Sequence, residues 1–206
     1  MKGAFIMFTI EGTHIHELVI NKSTFISYIK HVESVQEAKA YIEEIKTKHF
    51  DATHNVTAYT VGKTGEYGHC SDDGEPSGTA GLPVLDVFRK NNITNFVCIV
   101  TRYFGGIKLG AGGLVRAYSK AASENLHQIP IVPIIEYGFL KLTFHYPYLN
   151  EIDQCLKDCE ILERSFTTDV TYLVKLPLND IPMMKNRLIV LTNSFINIEE
   201  IKKETN

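Results

Sequence analysis

The sequence contains no apolar run that approaches the roughly 18 consecutive residues a membrane-spanning helix needs. The stretch Met1–Phe8 is mostly apolar, but it is too short for the core of a signal peptide, and no small-residue cleavage site follows it. Met7 is an alternative start, in which case the preceding residues form a short leader. Because both signals are missing, we expect a cytoplasmic protein that has no membrane partner.

Cysteine is scarce, and its spacing is unlike that of a redox or zinc motif. The four cysteines stand at positions 70, 98, 155 and 159 and form no C-x-x-C pair. Cys98 falls in a strongly apolar run, whereas Cys155 and Cys159 lie on one predicted helix. We interpret all four as small residues of the core or its margin. A metal or redox pair at Cys155 and Cys159 is the alternative, and a metal would need two further ligands that no local spacing provides.

An excess of positive charge is also missing, since the formal net charge of the 206 residues is −3. This value argues against a surface coated with basic charge for bulk nucleic-acid binding, so any anion site must be a local patch. Apolar residues make up 44% of the chain and charged residues 22%, which are ordinary globular values. The length suffices for one large domain or two small ones with a real core.

Alternation and capping signals predict an α/β first domain. Strands are expected over His16–Asn21 and Thr24–Val32, followed by a helix in which Ser34 and Glu37 form a capping box. An uninterrupted apolar run, Phe96–Val100, favours a central strand covered on both faces. The other predicted elements are a strand over Thr53–Val61, a short helix near Pro83–Lys90, a strand over Ile93–Thr101 and a helix over Gly113–His127.

Pro130 and Pro133 mark a domain boundary, so we predict one domain over residues 1–133 and a second over residues 134–206. The order βαββαβ predicted for the second domain is that of a ferredoxin-like fold. The whole protein is therefore expected to be an α+β protein of two domains. The elements of the second domain are strand Ile135–Tyr146, helix Tyr148–Cys159, strand Ile161–Phe166, strand Val170–Leu176, helix Ile181–Leu191 and strand Phe195–Ile201.

Acidic residues are absent from Val87 to Ser123, although the chain as a whole has more acids than bases. Six basic residues lie in this interval: Arg89, Lys90, Arg102, Lys108, Arg116 and Lys120. Within it we define the basic glycine segment as Arg102–Arg116, which contains Gly105, Gly106, Gly110, Gly112 and Gly113. A gap of this kind in an acidic chain predicts a local site for an anion.

The basic glycine segment leaves a predicted strand and enters a predicted helix. In that geometry free backbone N–H groups and the positive end of the helix meet at one point, which favours anions. The glycines let a phosphate approach the backbone, while Arg102, Lys108 and Arg116 add charge. Tyr103 and Phe104 are candidates to stack on bases. The alternative is that the glycines serve only a tight turn and helix packing, with the basic residues on a solvated face.

Two nucleotide-binding motifs are excluded by spacing. Gly62-Lys63-Thr64 resembles the end of a P-loop, but Thr57 stands where that motif requires a glycine, and no helical pattern follows. The later segment lacks G-x-G-x-x-G, since Val115 stands where the last glycine belongs. Neither a P-loop nor a Rossmann dinucleotide site is expected, and we predict no cofactor.

Residues 62–81 have no hydrophobic periodicity and are long for a plain connection, which is typical of a functional or disordered loop. His54 and Asn55, ahead of a strand, are candidates to face the same loops. Within the stretch we define the acidic segment as Gly68–Gly81, whose candidate residues are His69, Ser71, Asp72, Asp73, Glu75 and Ser77.

Two interpretations of the acidic segment are open. Three carboxylates beside one histidine could bind a divalent cation or act in acid–base catalysis, although the spacing matches no EF-hand loop. In the other interpretation, Asp72 and Asp73 form Asx turns and Ser77 caps the following helix. A carboxylate of the segment would then pair with Arg102 or Arg116. We assign no catalytic residue and no metal ligand.

The acidic segment and the basic glycine segment together resemble the signature of the YigZ/IMPACT family. The matching stretches are S-D-D-G-E-P-S-G-T-A-G from Ser71 to Gly81 and T-R-Y-F-G-G-I-K-L-G from Thr101 to Gly110. The resemblance implies an N-terminal domain with the α/β fold of the second domain of a small-subunit ribosomal protein. It also implies a C-terminal domain similar to the last domain of elongation factor G.

The same resemblance implies a role in translation control, because eukaryotic relatives interfere with the activation of a stress kinase. Our leading hypothesis is a non-enzymatic protein that binds structured RNA or the ribosome through the basic glycine segment. One alternative is a hydrolase or phosphotransferase that uses His69, Asp72, Asp73 and Glu75 against that segment. Another is a module that binds a protein partner in translation control.

Overall fold

The computed structural model describes residues 7–201, so the leader considered for the first six residues lies outside the described part. The described chain divides between Ile134 and Ile135 into two compact units, each with its own core. No helix in the described range is long and apolar enough to cross a membrane.

The N-terminal unit is a mixed α and β structure with one main sheet. In chain order its elements are β1 (Phe8–Ile10), β2 (Thr13–Ile20), β3 (Ser23–His31), α1 (Val35–Lys48), β4 (His54–Val61), β5 (Tyr67–Ser71), α2 (Gly81–Lys90), β6 (Phe96–Tyr103), α3 (Gly110–Leu126) and β7 (Ile131–Pro133).

The main sheet has the order β2-β3-β6-β4-β5, and every neighbouring pair is antiparallel. The hairpin from β2 to β3 turns at Asn21 and Lys22, whose φ angles of +47° and +64° are both positive. Two such residues in succession match the right-handed twist of the strands. A separate small sheet pairs β1 with β7.

Helices cover both faces of the central strand β6. Phe96, Cys98 and Val100 belong to the core that packs against α2 and α3. Val97 and Ile99 alternate with them and pack under α1 on the opposite face. This arrangement confirms the prediction of a central strand buried on both sides.

The helix predicted after Ser34 begins with the expected cap, because the Ser34 hydroxyl accepts a hydrogen bond of 3.1 Å from the Glu37 N–H. The Glu37 carboxylate accepts from the Glu33 N–H rather than from Ser34 itself. Two other elements of this unit differ from the expectation. The helix α3 begins three residues earlier than predicted, and the stretch predicted as a loop over residues 62–81 contains the edge strand β5.

The C-terminal unit has the predicted βαββαβ order. Its elements are β8 (Tyr137–Phe144), α4 (Leu149–Cys155), β9 (Glu160–Phe166), β10 (Val170–Pro177), α5 (Ile181–Leu191) and β11 (Ile196–Ile201). The sheet order β11-β8-β10-β9 is fully antiparallel and confirms the ferredoxin-like arrangement.

One helix of this unit is shorter than predicted. A single 3₁₀ turn over Tyr146–Tyr148 precedes α4, which ends at Cys155 instead of Cys159. The chain must leave the helix by Glu160, because that residue already pairs with Lys175 of β10. Cys155 packs in the core with its sulfur 3.8 Å from that of Met184.

Candidate nucleic-acid interface

The basic glycine segment begins at the end of β6 and folds back over the β2–β3 turn. Gly105 passes so close to Lys22 that a Cβ at this position would overlap the Lys22 carbonyl group. Gly106 follows with a φ of +84°, a conformation that side chains with a Cβ rarely adopt. The two glycines thereby let the chain leave β6 sharply and reach the start of α3.

The first turn of α3 has neither a side-chain cap nor an acidic residue. Leu109 stands at the cap position and makes no side-chain hydrogen bond to the helix. The first N–H groups of a helix lack intrahelical partners and carry partial positive charge. Lys108 and Arg116 are exposed beside this end, and the Arg116 side chain extends back toward Gly112. Because Gly112 and Gly113 add no side chain, the helix end stays open.

Arg102 is buried and is held from several sides. Its Nη1 donates a hydrogen bond of 2.6 Å to Oε1 of Glu75, and its Nη2 donates one of 3.3 Å to Ser23. The guanidinium carbon lies 5.4 Å from the ring centre of Phe25 and 5.5 Å from that of Phe104. Nε of Arg102 is buried and has no hydrogen-bond partner within residues 7–201.

Glu75 connects the acidic segment to this guanidinium. Its Oε1 also accepts a hydrogen bond of 2.8 Å from the Tyr118 hydroxyl, and Nε2 of His54 lies 3.7 Å away. Burial, followed by the interaction with Glu75, raises the pKa of Tyr118 above its usual value. Nδ1 of His54 lies 2.8 Å from the Asp73 carbonyl oxygen, which can only accept. The proton of a neutral His54 is therefore on Nδ1, and Nε2 is an acceptor.

These groups surround a cleft of about 360 Å³ beside the N-terminal end of α3. Its lining includes Lys108 and the start of α3, several apolar side chains, and a polar cluster that consists of His54, Glu75 and Arg102. The lining residues are Thr53, His54, Glu75, Pro76, Arg102, Phe104, Lys108, Leu109, Gly110, Ala111 and Leu114.

Asp72 is bound to the backbone of the acidic segment. Its two carboxylate oxygens accept hydrogen bonds of 2.8 to 3.0 Å from the N–H groups of Gly78, Ala80 and Gly81. Burial acts to raise the pKa of Asp72, but these three bonds outweigh it and hold the pKa below its usual value. Asp72, rather than the predicted Ser77, thus caps α2.

The other polar residues of the acidic segment are also dispersed. Asp73 accepts a hydrogen bond of 2.6 Å from the Asn55 N–H and lies 3.5 Å from Nζ of Lys46. Ser71 accepts from the Asp73 N–H, while His69 lies on the α1 side of the sheet in a different groove. Within residues 7–201 no group of three or more His, Cys, Asp and Glu side chains could hold a metal ion.

Tyr103 lies on the opposite face of β6 from Arg102. Its hydroxyl lies 2.9 Å from Nδ1 of His49 and donates a hydrogen bond of 3.1 Å to Asp51. His49 in turn contacts the Tyr28 hydroxyl at 2.6 Å. Burial first, and then the charge of Lys48, lower the pKa of His49. Tyr103 therefore does not line the cleft, whereas its neighbour Phe104 does.

The acid-free stretch of sequence does not form one continuous basic patch. Arg89 lies next to the start of β6, beside Asn92 and Ile93. Arg102 is six residues beyond Phe96 along that strand, a distance of about 20 Å. Of the basic residues of the basic glycine segment, Arg102 and Lys108 line the cleft, while the exposed Arg116 extends toward Gly112 in the first turn of α3.

Comparison with known proteins identifies the family. The protein-family model described as the Impact N-terminal domain matches residues 21–126. This range includes the acidic segment, the basic glycine segment and the whole cleft. The chain is 38% identical over 195 residues to "IMPACT family member YvyE" of Bacillus subtilis, covering 94% of this chain and 90% of that protein. The chain belongs to the IMPACT family.

Other IMPACT proteins differ in how much of the chain they match. "IMPACT family member YigZ" of Escherichia coli is 36% identical over 165 residues, which are 77% of this chain and 79% of that protein. "Protein IMPACT homolog" of Caenorhabditis elegans is 33% identical over 104 residues, or 47% of this chain and 40% of that one. A solved structure described as "Crystal structure of an hypothetical protein" has a TM-score of 0.61, 29% identity and 97% and 98% coverage of the two chains.

The sequence did not identify every residue that supports the IMPACT cleft through the Arg102–Glu75 pair. His54 and Asn55 do contact the acidic segment, as expected. Ser23 and Tyr118, by contrast, were not foreseen, although both contact the Arg102–Glu75 pair. A hydroxyl on the inward face of α3, next to Ala117, was the available signal for Tyr118 because a buried hydroxyl needs a partner.

Proposed function

We propose that this IMPACT protein binds RNA, including RNA in the ribosome, through the N-terminal end of α3. The observation that carries the proposal is the uncapped, acid-free first turn of that helix, flanked by the exposed Lys108 and Arg116. Backbone N–H groups and two cations around one open helix end match the chemistry of a phosphate diester.

Arg102 has a different role from the one its sequence position suggests. Its charge is compensated by Glu75, and only 6% of its side chain is exposed. Phosphate charge must therefore be neutralised mainly by Lys108, Arg116 and the helix end. Arg102 serves as a positioning residue that joins the acidic segment to β6 and supports the ring of Phe104.

The hydrolase or phosphotransferase alternative receives less support from this geometry. It requires Asp72 and Asp73 to act in the cleft, but both carboxylates are held by backbone N–H groups, and Asp73 also by Lys46. Glu75 is the only carboxylate of the acidic segment that lines the cleft. Its oxygen already accepts two hydrogen bonds, which suits a structural or recognition role better than proton transfer.

The test compares two double variants that remove the same charge. Lys108→Ala/Arg116→Ala removes the cations beside α3, while Arg89→Ala/Lys90→Ala removes two cations of the same acid-free stretch at the distant end of β6. We expect the first variant to weaken binding to a ribosomal RNA fragment and to reduce the steepness of log affinity against log salt concentration by about 1.5. The second variant should change neither the affinity nor its salt dependence. Fluorescence anisotropy between about 50 and 200 mM salt measures both quantities.

Equal behaviour of the two double variants would contradict the proposal. Capture of partners from cell extract with and without nuclease distinguishes the protein-binding alternative. A partner that survives nuclease digestion and requires Lys108 and Arg116 would indicate a protein ligand at the same surface. Loss of all capture after digestion supports RNA.

A further inference from the structure

The cleft beside α3 contains groups that phosphate binding does not use. Its wall includes the aromatic ring of Phe104, which is 47% exposed, and the buried polar pair of Arg102 and Glu75. Nε of Arg102 is a buried donor without a partner in the described chain, which calls for an explanation because such groups are rare. A ligand that fills the cleft would have an apolar face as well as an anion.

The size of the cleft limits what can enter. Its volume of about 360 Å³ lies at the lower end of the range typical of small-molecule sites. A double helix cannot enter such a space, but a single unstacked nucleotide can. The phosphate of that nucleotide would lie at the start of α3 near Lys108, since both line the cleft and both attract an anion.

Phe104 is held in a position that suits stacking. Its backbone N–H donates a hydrogen bond of 3.0 Å to the Thr53 hydroxyl, and its ring lies against the buried Arg102 guanidinium. The guanidinium is itself fixed by Glu75 and Ser23. A half-exposed ring on a rigid support is the usual platform for a base, because every base presents an aromatic face.

The polar cluster favours a base that donates hydrogen bonds. Both hydrogen bonds of the Glu75 carboxylate end on Oε1, and none is formed by Oε2 among the described residues. Nε2 of His54 lies 3.7 Å from that carboxylate and is a second acceptor in the tautomer that carries its single proton on Nδ1. Two acceptors placed together favour an exocyclic amino group, which offers two N–H donors in cytosine, adenine or guanine, whereas uracil offers only its single ring N3–H.

We propose that the cleft takes one unstacked nucleotide of the bound RNA, with an amino-bearing base stacked on Phe104 and read by Glu75 and His54. The inference rests on the proposed RNA-binding function and adds to it a preference for amino-bearing bases. The phosphate contacts give affinity without sequence preference, whereas the cleft discriminates between bases.

The experiment measures binding of single nucleotides to the full chain by NMR titration or calorimetry. We expect CMP, AMP and GMP to bind about tenfold more tightly than ribose 5-phosphate, which has the phosphate and lacks the base. UMP should bind several-fold more weakly than CMP. Phe104→Ala should abolish the tenfold advantage of CMP, AMP and GMP over ribose 5-phosphate. Phe195→Ala, which removes an exposed ring in the C-terminal unit, is the matched control.

The outcomes separate the two proposals. If all nucleotides bind no more tightly than ribose 5-phosphate while RNA affinity still depends on Lys108 and Arg116, the base-reading inference is wrong and the RNA-binding function stands. If nucleotides discriminate through Phe104 but RNA affinity ignores Lys108 and Arg116, the cleft is a mononucleotide site and the RNA-binding function is wrong. Both proposals are supported when an RNA with one abasic position loses only the Phe104-dependent part of its affinity.

Discussion

Glu75 accepts a hydrogen bond of 2.6 Å from Nη1 of Arg102, and no more than 6% of either side chain is exposed. The contact joins the loop between β5 and α2 to the C-terminal end of the central strand β6. The Tyr118 hydroxyl of α3 donates a hydrogen bond to the same oxygen. Three elements that are far apart in sequence thus meet at one carboxylate. Glu75 and Arg102 both line the cleft, so their contact fixes part of its wall.

Removing the Glu75 carboxylate should strongly destabilise the N-terminal unit. We expect Glu75→Ala to lower the free energy of unfolding of the N-terminal unit by about 3–5 kcal/mol, because it leaves the buried Arg102 charge unpaired. Urea unfolding followed by the NMR amide signals of β6 measures this unit separately from the C-terminal one.

The matched control removes both charges. In Arg102→Met/Glu75→Ala no unpaired charge is left, so its loss should be clearly smaller than the sum of the losses in Arg102→Met and Glu75→Ala. Additive losses in the three variants would mean that the 2.6 Å contact contributes little to the stability of the fold.

Gly105 and Gly106 are adjacent but should respond differently to the same substitution. Gly105→Ala should lower the free energy of unfolding by about 3 kcal/mol, because its new methyl group overlaps the Lys22 backbone. That backbone cannot move without breaking the β2–β3 turn. Gly106→Ala should lower the free energy of unfolding by about 1 kcal/mol. The space around Gly106 is open, but its φ of +84° is strained for alanine. Thermal unfolding of the two variants compares them directly.

Gly112→Ala is the control for this pair. Gly112 lies in the first turn of α3 and has no positive φ, and a Cβ there would meet Nη1 of Arg116 at an ordinary contact distance of 3.9 Å. Alanine at this position should therefore be neutral or slightly stabilising. Equal losses in Gly105→Ala and Gly106→Ala would contradict the prediction that overlap with the Lys22 backbone makes the substitution at 105 the more destabilising one.

Local signals were sufficient for most of the strands and helices. Alternation in β8 and the Ser34 cap of α1 are short-range patterns, and both elements formed where such patterns place them. The edge strand β5 was not predicted, because Gly68 and its exposed neighbours give no hydrophobic alternation. Its pairing with β4 is decided by the sheet rather than by its own sequence.

The site was predictable only in part for a related reason. Charge and glycine content indicated the basic glycine segment, but only the fold reveals that Arg102 faces Glu75 while Tyr103 faces His49. The two-residue period of a strand already separates adjacent side chains onto opposite faces, so Tyr103 and Arg102 could not both line one cleft. The partner of each residue depends on contacts across the sheet, which no local pattern encodes.

Asp72 should make the stability of the N-terminal unit depend on acid pH. Its folded-state pKa lies below its usual value, owing to the N–H groups of Gly78, Gly81 and Ala80. The carboxylate therefore stabilises the fold fully above the usual aspartate pKa, and this contribution is lost as pH falls from there through the lower, folded-state value. Asp72→Ala should cost about 2 kcal/mol near neutral pH, and its difference from the parent chain should shrink as the pH falls.

Ser77→Ala is the control that decides which residue caps α2. Ser77 is exposed and makes no side-chain hydrogen bond within the described chain, so its loss should change the free energy of unfolding by less than about 0.5 kcal/mol at every pH. Urea unfolding of both variants between about pH 2 and pH 7 provides the comparison. A loss in Asp72→Ala that stays constant over this range would mean that the three N–H groups gain nothing from the charge. A large loss of unfolding free energy in Ser77→Ala would mean that Ser77 caps α2, as one interpretation of the sequence proposed.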